Sequence, residues 1–120
     1  MQTNGIYIPC GQKQVATEVV RPSGRGFEWN NSLIGCHTGT VITLVEQTDG
    51  GTTYLWLDDE GLFAGNPVVN TKAMMVAPRW GQLVGDALLL KSDSEGDEAS
   101  MNAVEIQYWL DHLNNGIEGY

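Results

Sequence analysis

The sequence predicts a single α+β domain: a small mixed, mostly antiparallel β-sheet or partly open barrel with one C-terminal α-helix. Three observations lead there. Short runs rich in β-branched and aromatic residues alternate with glycine-bearing turns, two of those runs flank Asp49-Gly50-Gly51 at hairpin distance, and one late segment repeats its apolar residues at helical spacing. With 120 residues and 42% hydrophobic content, the chain suffices for one core and would starve two, so residues 1–120 read as one domain.

In chain order, Ile6-Tyr7-Ile8-Pro9 reads as a short strand stopped by a proline that lacks a ladder donor, with residues 14–20 as its partner. Arg21-Pro22-Ser23-Gly24-Arg25-Gly26 reads as a loop and is the basic cluster of the chain. Phe27-Glu28-Trp29-Asn30-Asn31 then leads through Leu33-Ile34-Gly35-Cys36 into Thr40-Val41-Ile42-Thr43-Leu44-Val45, the strongest strand signal. Beyond the turn, residues 52–58 return with Tyr54 and Trp56 on one face and Leu55 and Leu57 on the other. Leu62-Phe63-Ala64, residues 73–77 and residues 83–90 are further apolar runs of strand length, the last apolar on both faces as a central strand would be. Residues 92–100 hold four acids, three serines and a glycine and read as a mobile surface loop. Asn102 followed by Glu105 is the pattern of a reciprocal helix cap, Ile106, Trp109, Leu110, Leu113 and Ile117 follow at helical spacing, and Gly116 stands where a stop is expected.

Charge narrows the partners. The net charge is −9, and residues 83–120 carry eight acids against Lys91, a balance of −7. A polyphosphate chain would be repelled there, which argues against direct binding of nucleic acid. No apolar run approaches the length of a membrane span, and Met1-Gln2-Thr3-Asn4-Gly5 lacks the basic and apolar blocks of a signal peptide, so a cytoplasmic protein without a membrane partner is expected. In that compartment Cys10 and Cys36 would be reduced, buried thiols.

The segments Leu33-Ile34-Gly35, Leu57-Asp58-Asp59-Glu60-Gly61, Asn66-Pro67-Val68-Val69-Asn70 and Leu83-Val84-Gly85-Asp86-Ala87-Leu88, in that order and spacing, are similar to the DUF3846 family of small domains of unknown function. The resemblance implies a phage or mobile-element setting and a short acidic closing helix. It supplies no reaction.

Catalytic readings find little support. Cys36 and His37 are neighbours on an extended chain and point to opposite faces, so the imidazole cannot activate the thiol. Cys10, Cys36, His37 and His112 lack the paired spacing of a zinc site. Asp58, Asp59 and Glu60 fit a solvated turn as well as an acid/base pair, and residues 93–98 lack the sixth-place glycine and twelfth-place acid of a calcium loop. No phosphate-cradling glycine motif is present. No enzyme and no cofactor is therefore expected.

The leading expectation is a non-enzymatic binding protein that offers an acidic surface to a basic site on a host or phage protein, use as a host- or defence-directed inhibitor included. Asp93, Glu95, Asp97 and Glu98 supply the charge, and Trp29 and Trp80, in loops by their neighbours, supply aromatic contact area. The alternative is a module for a small anionic nucleotide or metabolite held between Arg21 and Arg25 on one loop and Asn70 and Lys72 on another turn.

Overall fold

The computed structural model describes residues 2–11, 15–22, 26–36, 39–46, 48, 50–59 and 68–118. Six strands, β1 (Gln2–Ile8), β2 (Thr17–Pro22), β3 (Gly39–Glu46), β4 (Thr52–Asp58), β5 (Ala87–Ser92) and β6 (Glu98–Ala99), form one antiparallel open sheet in the order β2-β1-β5-β4-β3, with β6 paired to the far end of β5. Three helices, α1 (Gly26–Ile34), α2 (Thr71–Val76) and α3 (Ala103–Glu118), cover it.

The hairpin read around residue 50 is present. β3 and β4 pair from Gly39 opposite Asp58 to Glu46 opposite Thr52, with one extra residue, Leu44, bulged between Thr43 and Val45. The alternation in β4 splits the core in two. Leu55 and Leu57 join Ile6, Ile8, Ala87 and Leu89 beneath Ala73 of α2, Ala77 at its C-cap, and Ile106 and Leu113 of α3. Trp56 joins Leu88 and Leu90 on the opposite face, where Trp29 and Ile34 of α1 cover them. β5 is central as its apolar run implies, paired with β1 on one side and β4 on the other, and Ala87, Leu88, Leu89 and Leu90 are all buried. Each leucine withdrawn from water there is worth roughly 1.5–3 kcal/mol, so β5 is the spine of both cores.

Capping fixes α3. Asn102 Oδ1 accepts from Glu105 N at 2.9 Å, and Glu105 Oε1 accepts from Asn102 N at 3.1 Å, so two otherwise orphaned donors are satisfied reciprocally. The helix runs on past Gly116 to Glu118 because glycine weakens a helix without breaking it.

Four expectations are corrected. Residues 26–34 form a helix rather than a loop, and residues 71–76 form a helix rather than a strand. Arg21 and Pro22 close β2 instead of opening a loop, since Arg21 pairs with Thr3 of β1. Residues 92–100 are a hairpin, described below. The strand expected at Leu62-Phe63-Ala64 lies outside the described residues.

Candidate functional site

The candidate site grows from the tight turn between β5 and β6. Lys91 pairs with Ala99 and Ser92 with Glu98, which leaves Asp93 to Asp97 to reverse the chain. Asp93 N donates to Asp97 O at 2.9 Å, and the Asp93 carboxylate accepts from Glu95 N at 2.9 Å and Asp97 N at 3.0 Å. Gly96 takes φ +84°, which a side chain would resist. The aspartate at the head of the turn thus does the ordering that short polar side chains do in Asx turns. The result is a fixed platform from which Asp93, Glu95 and Asp97 face water. Three carboxylates this close repel one another through water, and a cation placed among them relieves that repulsion.

Not all of the C-terminal acidity is on offer. Glu98 lies 3.7 Å from Arg21, Glu105 bonds Lys91 at 3.1 Å, and Asp86 is consumed by Tyr7 and Cys10. Among the described residues of this segment the fully outward acids are Asp93, Glu95, Asp97 and Asp111, while Glu98, its side chain 31% exposed, also serves as the counter-charge of a buried arginine.

That arginine faces α1. Arg21 is 2% exposed, its Nε donates to Thr3 Oγ1 at 3.3 Å and its Nη1 to Asn30 Oδ1 at 3.2 Å, while its buried Nη2 finds no acceptor among the described residues. The phenol of Tyr54 is pushed up by burial and drawn partly back by Arg21 beside it. Asn70 and Lys72 are buried too, but elsewhere: Asn70 caps α2 and bonds the backbone of Ile8 and Gly85, and burial lowers the Lys72 ammonium. Arg21, Asn70 and Lys72 therefore do not share one site, and Arg25 lies outside the described residues. Trp29 is half-buried in α1 against Trp56, Leu88 and Leu90, a core position rather than a loop, whereas Trp80 stands 58% exposed on the 3₁₀ turn Pro78–Trp80.

A cluster that sequence reasoning missed joins β1 to the entry of β5. Gly85 takes φ +79°, and the next residue, Asp86, accepts from the Tyr7 hydroxyl through Oδ2 and from Cys10 N through Oδ1 at 2.9 Å. Burial first, then the Asp86 carboxylate, pushes the Tyr7 phenol up to about 12 and raises the Cys10 thiol. Folding thus favours the neutral phenol: its contribution is complete below the ordinary pKa of 10.0 and is lost as pH climbs toward about 12. Alkaline titration followed at 295 nm should show late phenolates from Tyr7 and from half-buried Tyr54, and Tyr7→Phe should remove the Tyr7 component and flatten the loss of stability between those two pH values. The signal was hidden because Tyr7 and Asp86 are remote in sequence.

Cys36 is likewise raised, by burial and then by Asp58, so neither cysteine is poised as a thiolate, and both are free thiols. His37 and Glu60 lie outside the described residues, Asp58 closes β4 half-buried and Asp59 is exposed. Among the described residues no three His, Cys, Asp or Glu side chains converge as metal ligands, and no helix is long and apolar enough to cross a membrane.

A family model described as "Domain of unknown function (DUF3846)" matches residues 5–114. No curated protein matches the sequence. Among solved structures, the crystal structure of small RNA methyltransferase HEN1 superposes with a TM-score of 0.64 at 14% identity, over 97% of this chain and 16% of that one. At that identity the likeness is one of fold alone, and this chain spans about a sixth of the other's length.

Proposed function

This chain belongs to the DUF3846 family, and we propose that it works by binding, presenting the β5–β6 turn to a basic site on a protein of the cell or phage in which it acts. The observation that carries the reading is the ordered turn itself. Asp93 spends its carboxylate on the backbone of Glu95 and Asp97, which leaves the other two acids outward on a turn already folded for contact. Preorganisation of this kind saves the cost of ordering a loop on binding. Use as a host- or defence-directed inhibitor in a phage or mobile-element setting is part of the same proposal.

The test separates charge from fold. Glu95→Gln with Asp97→Asn removes two charges and leaves every hydrogen bond of the turn in place, because those bonds use the Asp93 side chain and the backbone. Immobilised protein is expected to retain basic partners from lysate at about 0.05 M salt and release them by about 0.5 M, where screening shortens to a few ångströms. The double variant should retain none of them at the same melting temperature. Equal retention by both proteins would end the proposal.

A further inference from the structure

The far edge of the sheet carries a second surface, independent of the acidic turn. Among the described residues nothing pairs with the outer side of β3. An unpaired edge offers a row of backbone donors and acceptors, and proteins usually blunt such edges with charge or proline. β2, at the opposite edge, carries Glu18, Arg21 and Pro22, whereas the only charge on β3 is Glu46 at its end. Val41 and Val45 of β3 are 48% and 43% exposed.

Beside this edge lies a groove of about 530 Å³ lined by Thr43 and Leu44 of β3, by Val76 and Ala77, and by Pro78, Arg79 and Trp80 of the 3₁₀ turn. The β-bulge makes it apolar: Leu44, the extra residue, packs on the core beside Val76, and Val45 follows opposite Thr53. Arg79 is exposed on the groove wall, whereas Arg21 and Lys91 are engaged by Glu98 and Glu105.

We propose that the outer edge of β3 and this groove take an extended peptide of a partner protein as an added strand, an apolar segment bearing a single carboxylate that meets Arg79. Backbone pairing along β3 supplies register, the pocket between Leu44 and Trp80 takes one apolar side chain, and Arg79 selects the charge. A run of acids would be repelled by a chain of net charge −9, which is why one carboxylate is specified.

The probe is an acetylated, amidated heptapeptide alternating threonine and valine around one central aspartate, with a lysine-centred control. In ¹H–¹⁵N spectra of the full chain, the aspartate peptide should move the Thr43, Leu44 and Val45 amides and the Trp80 indole N–H. The lysine peptide should bind about three- to five-fold more weakly, the scale of one exposed ion pair. Arg79→Gln should abolish that preference while Trp80→Ala weakens both peptides, each variant melting as the parent does because both residues are exposed. Shifts confined to other surfaces, equal affinity for both peptides, or no binding at millimolar peptide would overturn the proposal. So would sedimentation showing a dimer that broadens these same resonances, since a second copy would then own the edge.

Discussion

Replacing Asn70 with alanine is expected to be among the most damaging single changes available to this fold. The side chain is fully buried and makes three bonds: Nδ2 donates to Ile8 O at 3.0 Å and to Gly85 O at 2.9 Å, while Oδ1 accepts from Ala73 N at 3.0 Å. Loss of a helix cap costs about 1 kcal/mol, and each buried carbonyl left without a donor about 1–3 kcal/mol more, giving roughly 3–7 kcal/mol. For a domain whose whole stability is about 5–15 kcal/mol, that is the difference between a folded and a marginal protein. Asn70→Asp is the informative companion. Aspartate caps a helix as well as asparagine does, so a residue that mattered only as a cap would tolerate it. Here the lost amide donor leaves Ile8 O and Gly85 O facing a carboxylate, and the aspartate variant should be no more stable than the alanine one in denaturant titration.

Gly39→Ala should come next. A methyl group at Gly39 would fall directly on the Trp56 indole, at Nε1, Cε2 and Cζ2. The indole cannot swing aside freely, because Nε1 donates to Asn31 Oδ1 at 2.9 Å and the ring is packed with Leu88 and Leu90. Overpacking at such a site costs about 1–3 kcal/mol, and the fixed ring puts this case toward the upper end. A double-mutant cycle identifies the cause: in a Trp56→Phe background the ring no longer reaches as far, and the same methyl should cost less than half as much. An unchanged cost would place the strain in the backbone of β3 instead.

How far the fold could be read from the residues depended on whether the deciding contact was local. β4 and α3 were legible because an alternating strand and a capping box are written within a few residues. α1 was not, since Gly26, Asn30, Asn31 and Ser32 are weak helix formers, and what holds them is remote: Asn30 accepts from Arg21 and Asn31 from Trp56. α2 is short and its apolar run resembles a strand, yet Asn70 three places before Ala73 was a cap signal that could have revealed it. The acidic turn was visible as composition. That Glu98 would answer Arg21, and that Asp86 would be held by Tyr7, depended on strand neighbours far apart in sequence.

The placement of β1 between β2 and β5 has a consequence for how the chain is made. Its inner partner, Ala87–Leu89 of β5, and the contacts from Ser100 and Met101 to Asn4 are all supplied by much later residues, the Ser100 bond spanning 96 positions. A ribosome that has released the β1–β2 hairpin has therefore exposed Ile6 and Ile8 with nothing yet to cover them. Long-range pairing of this sort folds slowly and leaves an adhesive intermediate, so the nascent protein should lean on chaperones until β5 emerges and then close both cores in one cooperative step.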